Sequence, residues 1–151
     1  MSLRQLKKKE KRKFFDILKK QFGFEDKLDY VFLINNKNKV FIINKDIAQL
    51  DLNKIKINSL GLYIAELREE GVRLSIEGSQ IIGPKSKRNI ININKENLKK
   101  WLSGEDIPKD KSIKNLTGFV IVKSGNDYLG CGKIKEDKIL NFFPKIRRIT
   151  T

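Results

Sequence analysis

The sequence predicts an α+β fold: a small mixed domain of helices and strands over residues 1–86, followed by a small β-barrel over residues 87–151. This prediction depends on a β-hairpin at residues 30–43, a helix at residues 59–68 and a C-terminal third that is dense in strand-forming residues. A chain of 151 residues is long enough for one domain or for two small ones.

The first elements alternate between helical and strand patterns. Apolar residues recur at helical spacing over residues 4–22, with lysine and arginine between them, and Gly23 provides a left-handed end to this helix. Residues 30–34 and 40–43 are rich in strand formers and flank a polar turn of about five residues, which predicts a hairpin. A short helical turn at residues 46–50 follows.

The middle of the chain is predicted as a helix followed by two strands. The helix covers residues 59–68, with Ser59 as its N-cap and apolar residues along one face. Residues 73–76 and 80–82 are predicted strands, and Gly78 between them indicates a bulge or a tight bend.

A basic loop at residues 84–89 is the best candidate for a domain boundary. Beyond it, residues 90–93 predict a strand and residues 95–102 predict a helix that Gly104 ends. Three more strands follow near residues 118–123, 127–134 and 138–143.

The chain is strongly basic. It has 33 lysine and arginine residues against 18 aspartate and glutamate residues, which gives a formal net charge of +15. Both halves of the chain, cut after Ser86, carry a similar excess of cations. This charge favours a polyanion such as nucleic acid as a partner, and a solvated lysine-rich surface is the alternative.

Cysteine and histidine usage excludes several classes of site. The chain has one cysteine, Cys131, and no histidine, so it lacks an internal disulfide and the usual zinc, Cys–His and Ser–His groupings. Cys131 lies between two glycines in a predicted strand, which indicates a buried structural thiol where a barrel strand bends. We expect no metal and no cofactor, and the lone cysteine fits a reducing cytoplasm.

No segment predicts membrane insertion. The N-terminus is charged and has no apolar signal core, and no apolar run approaches the roughly 20 residues of a membrane span. We therefore expect no membrane partner.

A glycine-rich segment at residues 78–86 is close to a phosphate-binding loop but departs from it. The nucleotide-binding motif places lysine directly after the second glycine, whereas here Pro84 separates Gly83 from Lys85. Proline also lacks the backbone N–H that such a loop donates to phosphate. The segment therefore argues against nucleotide hydrolysis.

Basic residues near the C-terminus and at the predicted boundary form the candidate binding surface. Arginine binds phosphate through two parallel hydrogen bonds or stacks on bases, and lysine provides a mobile point charge. These basic residues are Lys85, Lys87, Arg88, Lys133, Lys135, Lys145, Arg147 and Arg148. Tyr128, Phe142 and Phe143 are candidates for stacking on bases, with burial in the barrel as the alternative. The basic run from Lys7 to Lys13 either contacts phosphate or forms a solvated helix face.

Four segments occur in an order that resembles a known family. They are LGLYIA at residues 60–65, RLSIEGSQIIG at 73–83, KRN at 87–89 and WLSGEDI at 101–107. In this order they strongly resemble the two-domain pre-PUA–PUA family of ribosome-assembly proteins of archaea and eukaryotes. The end of the chain, with GCGK and then NFFPKIRR, also resembles the accessory barrel of Nop/Sun/Fmu-type RNA 5-methylcytosine methyltransferases. The sequence contains no S-adenosylmethionine loop and no pair of catalytic cysteines.

The resemblance implies a PUA-like RNA-binding barrel at residues 87–151 after a pre-PUA-like domain at residues 1–86. RNA contacts would then belong to the basic end of the barrel, at Lys145, Arg147 and Arg148, and the N-terminal domain would be a platform for a protein partner.

We therefore expect a non-catalytic, cytoplasmic RNA-binding protein that assists ribosome biogenesis, with rRNA or pre-rRNA as its RNA and tRNA as the second choice. The alternatives are a free-standing accessory of an RNA methyltransferase or other RNA-modification enzyme, and a protein adaptor whose charge is incidental.

Overall fold

Two five-stranded sheets and four α-helices make up the part of the chain that a computed structural model describes, which is residues 3–48, 61–111, 113 and 116–149. The predicted α+β class is confirmed, and the C-terminal sheet curls into a half-barrel. Within the described residues, no helix is long and apolar enough to cross a bilayer.

The first sheet is antiparallel, with its strands in the order β1-β2-β3-β4-β5. The strands are Leu3–Gln5, Val31–Asn35, Lys39–Ile43, Leu62–Arg68 and Gly71–Leu74. The predicted hairpin is confirmed as β2 and β3. Its turn is shorter than predicted, because Asn35 Oδ1 accepts hydrogen bonds from the backbone N–H groups of Lys37 and Lys39, at 2.9 and 3.0 Å.

Helix α1, Lys8–Phe22, packs on this sheet and begins later than the sequence predicts. Residues 3–5 form the edge strand β1 instead, because their backbone pairs with residues 33–35 of β2. Glu10 caps the first turn by accepting a hydrogen bond from the Lys7 backbone N–H at 2.9 Å. Gly23 ends the helix in the left-handed conformation, with φ of 67°, as predicted.

The predicted helix at residues 59–68 is wrong where the structure describes it. Residues 62–68 form β4, which pairs with β3 on one side and β5 on the other, while residues 59 and 60 lie outside the described part of the chain. Residues 64–66 are buried, so the apolar pattern is that of a central strand covered on both faces. The short turn predicted at residues 46–50 is helix α2, Lys45–Ala48, and residues 49 and 50 are outside the described part.

Helix α3, Ile76–Ile82, replaces a predicted bulge and strand. Ser75 Oγ caps it by accepting a hydrogen bond from the Gly78 backbone N–H at 3.0 Å. Gly78 lies against β4, where a Cβ atom would overlap the carbonyl oxygen of Ile64. The glycine therefore permits close packing of a helix on a strand, and the segment that resembles a phosphate loop is α3 plus a 3-10 turn, Gly83–Lys85.

The second sheet has the strand order β6-β8-β9-β10-β7 and confirms the strands predicted near the C-terminus. Its strands are Ile90–Asn92, Ile107–Pro108, Gly118–Ser124, Asp127–Lys135 and Lys138–Asn141. β6 runs parallel to β8, and the other pairs are antiparallel. Helix α4, Lys95–Leu102, covers the predicted range, and Asn94 Oδ1 caps it by accepting a hydrogen bond from the Asn97 N–H at 2.8 Å.

Two hydrophobic clusters hold the molecule together, and each draws residues from both halves of the chain. The first cluster surrounds α1 and includes Ile121 and Cys131 of the second sheet, while the second surrounds Trp101 and includes Ile76 of α3. Cys131 Sγ accepts a hydrogen bond from the Leu74 N–H at 3.3 Å, and burial raises the pKa of this thiol to about 12. The domain boundary after residue 86 remains a prediction.

Candidate nucleic-acid interface

The eight predicted basic residues occupy three separate places in the fold. Lys145, Arg147 and Arg148 belong to the end of the chain, where residues 145–147 form a 3-10 turn after Pro144. Lys133 and Lys135 lie on β9. The remaining residues, Lys85, Lys87 and Arg88, lie between α3 and β6.

The C-terminal turn presents its cations unequally. Lys145 is exposed, and the Arg147 Nη1 atom donates to Glu77 Oε2 of α3 at 3.0 Å. Arg148 is only partly exposed: its Nε donates to the carbonyl oxygen of Phe143 at 3.1 Å, and a side chain at Gly104 would overlap its guanidinium. Lys145 and Arg147 therefore face solvent more openly than Arg148, which fastens the end of the chain to the barrel.

A groove of about 310 Å³ lies beside this turn, between the first sheet, α3 and the end of β10. Its lining includes Leu62, Tyr63, Arg73, Glu77, Phe142 and Arg147. We call this feature the groove. It contains two of the large apolar side chains that remain exposed, Phe142 at 37% and Leu62 at 41%. An exposed aromatic ring beside guanidinium groups is the arrangement on which an unpaired base stacks.

The aromatic ring of Phe142 is held between a cation and a second ring. The Arg73 guanidinium lies 4.4 Å from the centroid of Phe142, and the buried Phe119 meets the same ring edge to face at 6.2 Å. Lys133 Nζ lies 5.9 Å from the Phe119 centroid. A row of two edge-to-face rings with a cation at each end therefore links β9 to β5, and it fixes the orientation of Phe142.

Carboxylates neutralise most of the cations around the groove. Arg73 and Arg68 both bind the buried carboxylate of Glu66, at 3.2 and 2.8 Å, while Lys133 binds Glu70 at 2.7 Å. The Lys133 contact lowers the pKa of Glu70, so that this carboxylate stays ionised. The groove thus combines apolar surface with guanidinium groups whose charge is largely balanced.

Tyr63 contributes a neutral phenol to the groove. Burial raises its pKa above the ordinary tyrosine value, and the nearby Glu66 carboxylate acts in the same direction. The phenol therefore stays protonated and uncharged at neutral pH.

Lys87 and Arg88 lie at the C-terminal end of α1, far along the chain from the residues they contact. The backbone N–H of Lys87 donates to the Phe22 carbonyl oxygen at 2.7 Å, and Arg88 Nη1 donates to the Lys20 carbonyl oxygen at 3.0 Å. Cations are favourable at a helix C-terminus because the last carbonyl groups are free. Lys87 and Arg88 are thus fastened to α1 by these contacts, and Lys85 is exposed in the 3-10 turn before them.

The three aromatic candidates for stacking differ in exposure. Phe143 is buried in the second cluster, and Tyr128 is partly buried against Gly83. Phe142 is the exposed one. The sequence analysis missed Tyr63 because its segment was predicted as a helix, although the strand formers Tyr63 and Ile64 were an available signal. It missed Arg73 because nothing local to the predicted strand at residues 73–76 shows that this side chain meets Phe142.

Sequence models of two protein families match the chain in succession. Residues 3–76 match the family described as NIP7/UPF0113, pre-PUA domain, and residues 88–149 match the one described as Methyltransferase RsmF PUA domain. The chain belongs to the two-domain pre-PUA/PUA family. Both domain types are RNA-binding types rather than catalytic ones.

Curated relatives are similar to this chain over most of its length but are far longer. Ribosomal RNA small subunit methyltransferase F of Shewanella oneidensis is 32% identical over 94 residues, which is 62% of this chain and 19% of the relative. The protein of the same name from Vibrio cholerae serotype O1 is 24% identical over 109 residues, or 72% of this chain and 22% of the relative. The chain thus spans about a fifth of the length of these relatives.

Proposed function

We propose that this pre-PUA/PUA chain binds ribosomal RNA or its precursor without catalysing a reaction and assists ribosome biogenesis. The observation that carries the proposal is the NIP7-type pre-PUA domain followed directly by a PUA domain. The net charge of +15 supports a polyanion as the partner. Capture would begin by attraction of phosphate to the basic surface, and recognition of shape or of unpaired bases would follow.

In this proposal the groove receives an unpaired base. Phe142 offers an exposed ring in a fixed orientation, Arg73 lies on that ring, and Lys145 and Arg147 stand at the same end of the barrel, where they would meet the adjoining phosphates. The remaining predicted residues, Lys133, Lys135, Lys85, Lys87 and Arg88, stay candidates for further RNA contacts. A protein partner on the N-terminal domain and a cytoplasmic location also stay predictions.

Competition between RNA and DNA oligonucleotides of matched sequence, at about 150 mM salt, tests RNA binding. We expect RNA to displace DNA at lower concentration, because the 2′-hydroxyl distinguishes the two. Pure charge attraction predicts equal competition, and that result would count against a dedicated RNA role. Crosslinking in cells followed by sequencing of the bound RNA would then identify the RNA, with rRNA or pre-rRNA expected ahead of tRNA.

Assays for turnover test whether the chain is catalytic. We expect neither ATP or GTP hydrolysis nor methyl transfer from the purified chain. The segment that resembles a phosphate loop is helical, with Gly78 packed against Ile64, so it does not form the open turn that cradles phosphate. Turnover that disappears in Lys85→Ala would overturn the non-enzymatic proposal.

A second candidate function is that of a separate RNA-targeting accessory for an RNA methyltransferase. It is favoured by the match of residues 88–149 to the RsmF PUA domain and by curated relatives that are themselves methyltransferases. Affinity purification of the tagged chain separates the two functions. A methyltransferase recovered in near-equal amount would support the accessory, whereas recovery of ribosomal precursor particles without one would support the assembly factor.

A further inference from the structure

The outer side of α1 carries an unusual concentration of positive charge. The helix turns Phe14, Leu18 and Phe22 into the first hydrophobic cluster. At 3.6 residues per turn, its exposed cations fall together on the opposite side. They are Lys8, Lys9, Arg12, Lys13, Lys19 and Lys20, and the one exposed acid among them is Asp16.

These six cations have no ion-pair partner within the described part of the chain. Arg4 and Lys45, by contrast, bind Glu10 and Asp29 respectively. The cations of α1 also stand next to one another, since Lys8 and Arg12 are one helical turn apart, and like charges at that spacing destabilise a helix. A cluster that is unfavourable in the isolated chain becomes favourable when a polyanion binds across it.

The loop before β6 extends this positive surface past the end of the helix. Arg88 reaches the Lys20 carbonyl oxygen, and Lys87 lies beside Gly23, so both are held next to Lys19 and Lys20 in the last turn. Lys87 has an acid beside it, because an oxygen of the Glu25 carboxylate lies 3.9 Å from Lys87 Nζ. We call the six cations of α1 together with Lys87 and Arg88 the basic strip. Its helical part alone is about 18 Å long at 1.5 Å per residue.

The basic strip and the groove lie on opposite faces of the first sheet. Val72 packs in the cluster with Phe14 of α1, and successive side chains of a strand point to opposite faces. Arg73 therefore points away from α1, toward Phe142. A ligand on the basic strip does not occupy the groove.

The composition of the basic strip selects one type of polyanion. The strip contains no exposed aromatic side chain for stacking on bases, so it fits the phosphate backbone of a helical RNA rather than a single strand. An anionic membrane surface fits less well, because an interfacial helix needs an apolar face free to enter the lipid, and that face of α1 is buried.

We propose that the basic strip is a second RNA site, which binds the phosphate backbone of double-helical RNA independently of sequence, while the groove receives an unpaired base. This inference rests on the proposed RNA-binding function. It implies that one RNA contacts both faces of the first sheet, with a helical segment on α1 and an unpaired segment at the barrel.

The test compares the triple variant Lys8→Ala, Arg12→Ala and Lys19→Ala with a control that removes the same charge elsewhere, Lys37→Ala, Lys95→Ala and Lys99→Ala. All six lysine and arginine side chains are exposed, and alanine preserves helix propensity in α1. Binding of a 20-base-pair RNA duplex and of an unpaired oligonucleotide is measured as a function of salt. Circular dichroism checks that α1 remains helical.

We expect the α1 variant to flatten the log–log salt slope for the duplex by roughly 2 to 3, at about 0.9 per lost phosphate contact. The unpaired oligonucleotide should lose much less affinity, and the control variant should change neither. An unchanged duplex slope in the folded α1 variant would overturn this inference and leave the proposed function intact. Failure of the wild-type chain to bind either RNA would overturn both. Loss of binding to vesicles containing phosphatidylserine, with duplex binding unchanged, would assign the strip to membranes instead and would also overturn it.

Discussion

The basic strip on α1 and the groove beside the C-terminal turn use the same charged residue types in different surroundings. The six α1 cations of the strip have no acidic partner within the described residues and no exposed ring among them. Near the groove, by contrast, Arg73, Arg147 and Lys133 each bind a carboxylate, and Arg73 and Lys133 also lie over aromatic rings. The number of cations alone therefore does not define a binding mode. Unbalanced charge favours long-range, salt-sensitive capture, and balanced charge around a ring favours local recognition.

The largest effect is expected where the groove depends on backbone packing. Gly78→Ala places a Cβ atom against the Ile64 carbonyl oxygen of β4, beneath the side of α3 that borders the groove. Forcing extra volume into this contact should lower the free energy of unfolding by roughly 2–3 kcal/mol. Urea unfolding followed by fluorescence of Trp101 measures it. Gln80→Ala, an exposed position of the same helix, is the control and should stay within about 0.5 kcal/mol of wild type.

Loss of the exposed ring should affect one kind of RNA only. Phe142→Ala removes the stacking surface over which Arg73 lies, and base–aromatic stacking contributes about 1–3 kcal/mol per base. We expect binding of an unpaired oligonucleotide to weaken by about 5- to 100-fold. Fluorescence anisotropy with unpaired and duplex RNA measures the difference. Ile146→Ala, at a residue that is 95% exposed, controls for lost apolar surface, and equal weakening by both variants would contradict a stacking role.

Each C-terminal cation that contacts phosphate should add to the salt dependence of RNA binding. Lys145→Ala with Arg147→Ala removes up to two contacts, and the log–log slope for single-stranded RNA should flatten by about 0.7 to 1.4, because Arg147 already binds Glu77. Arg148→Ala should behave differently, because its Nε holds the Phe143 carbonyl oxygen; we expect a loss of about 1 kcal/mol in stability and little change in slope. A folded double variant with unchanged affinity and slope would place the RNA elsewhere.

The smallest effect is expected at the start of α1, where charge is balanced. Hydrogen bonds from Arg4 and from the Lys7 backbone N–H lower the pKa of Glu10 to about 2, below its ordinary value of 4.5. Because the folded pKa is the lower one, Glu10 stabilises the fold above pH 4.5, and this contribution is lost as the pH falls toward 2. Melting temperatures of wild type and Glu10→Gln should therefore differ modestly at pH 7 and converge near pH 2. A constant difference across that range would show that Glu10 acts by packing alone.

The sequence predicts some features of the basic strip and the groove but not others. The basic run of α1, the hairpin, α4 and the C-terminal strands follow from local periodicity and turn residues, which act between neighbours in the chain. The groove could not be predicted from the sequence, because Arg73 and Phe142 lie far apart in the chain. They meet only when β5 packs beside the end of β10. The mistaken helix at residues 59–68 has the same origin: β3 and β5 supply hydrogen-bond partners on both sides of β4, and pairing overrides local preference.

The α+β class is predictable from the amino-acid sequence alone, as are the excess of positive charge, the lack of histidine and the order of a pre-PUA and a PUA domain. Composition and local pattern are sufficient for these properties. The folded structure is needed to show which cations are neutralised, that Lys87 and Arg88 contact α1, and that Phe142 is exposed. The physical reason is that ion pairs and burial depend on side chains that folding brings together across many residues, such as Arg147 with Glu77 and Lys133 with Glu70.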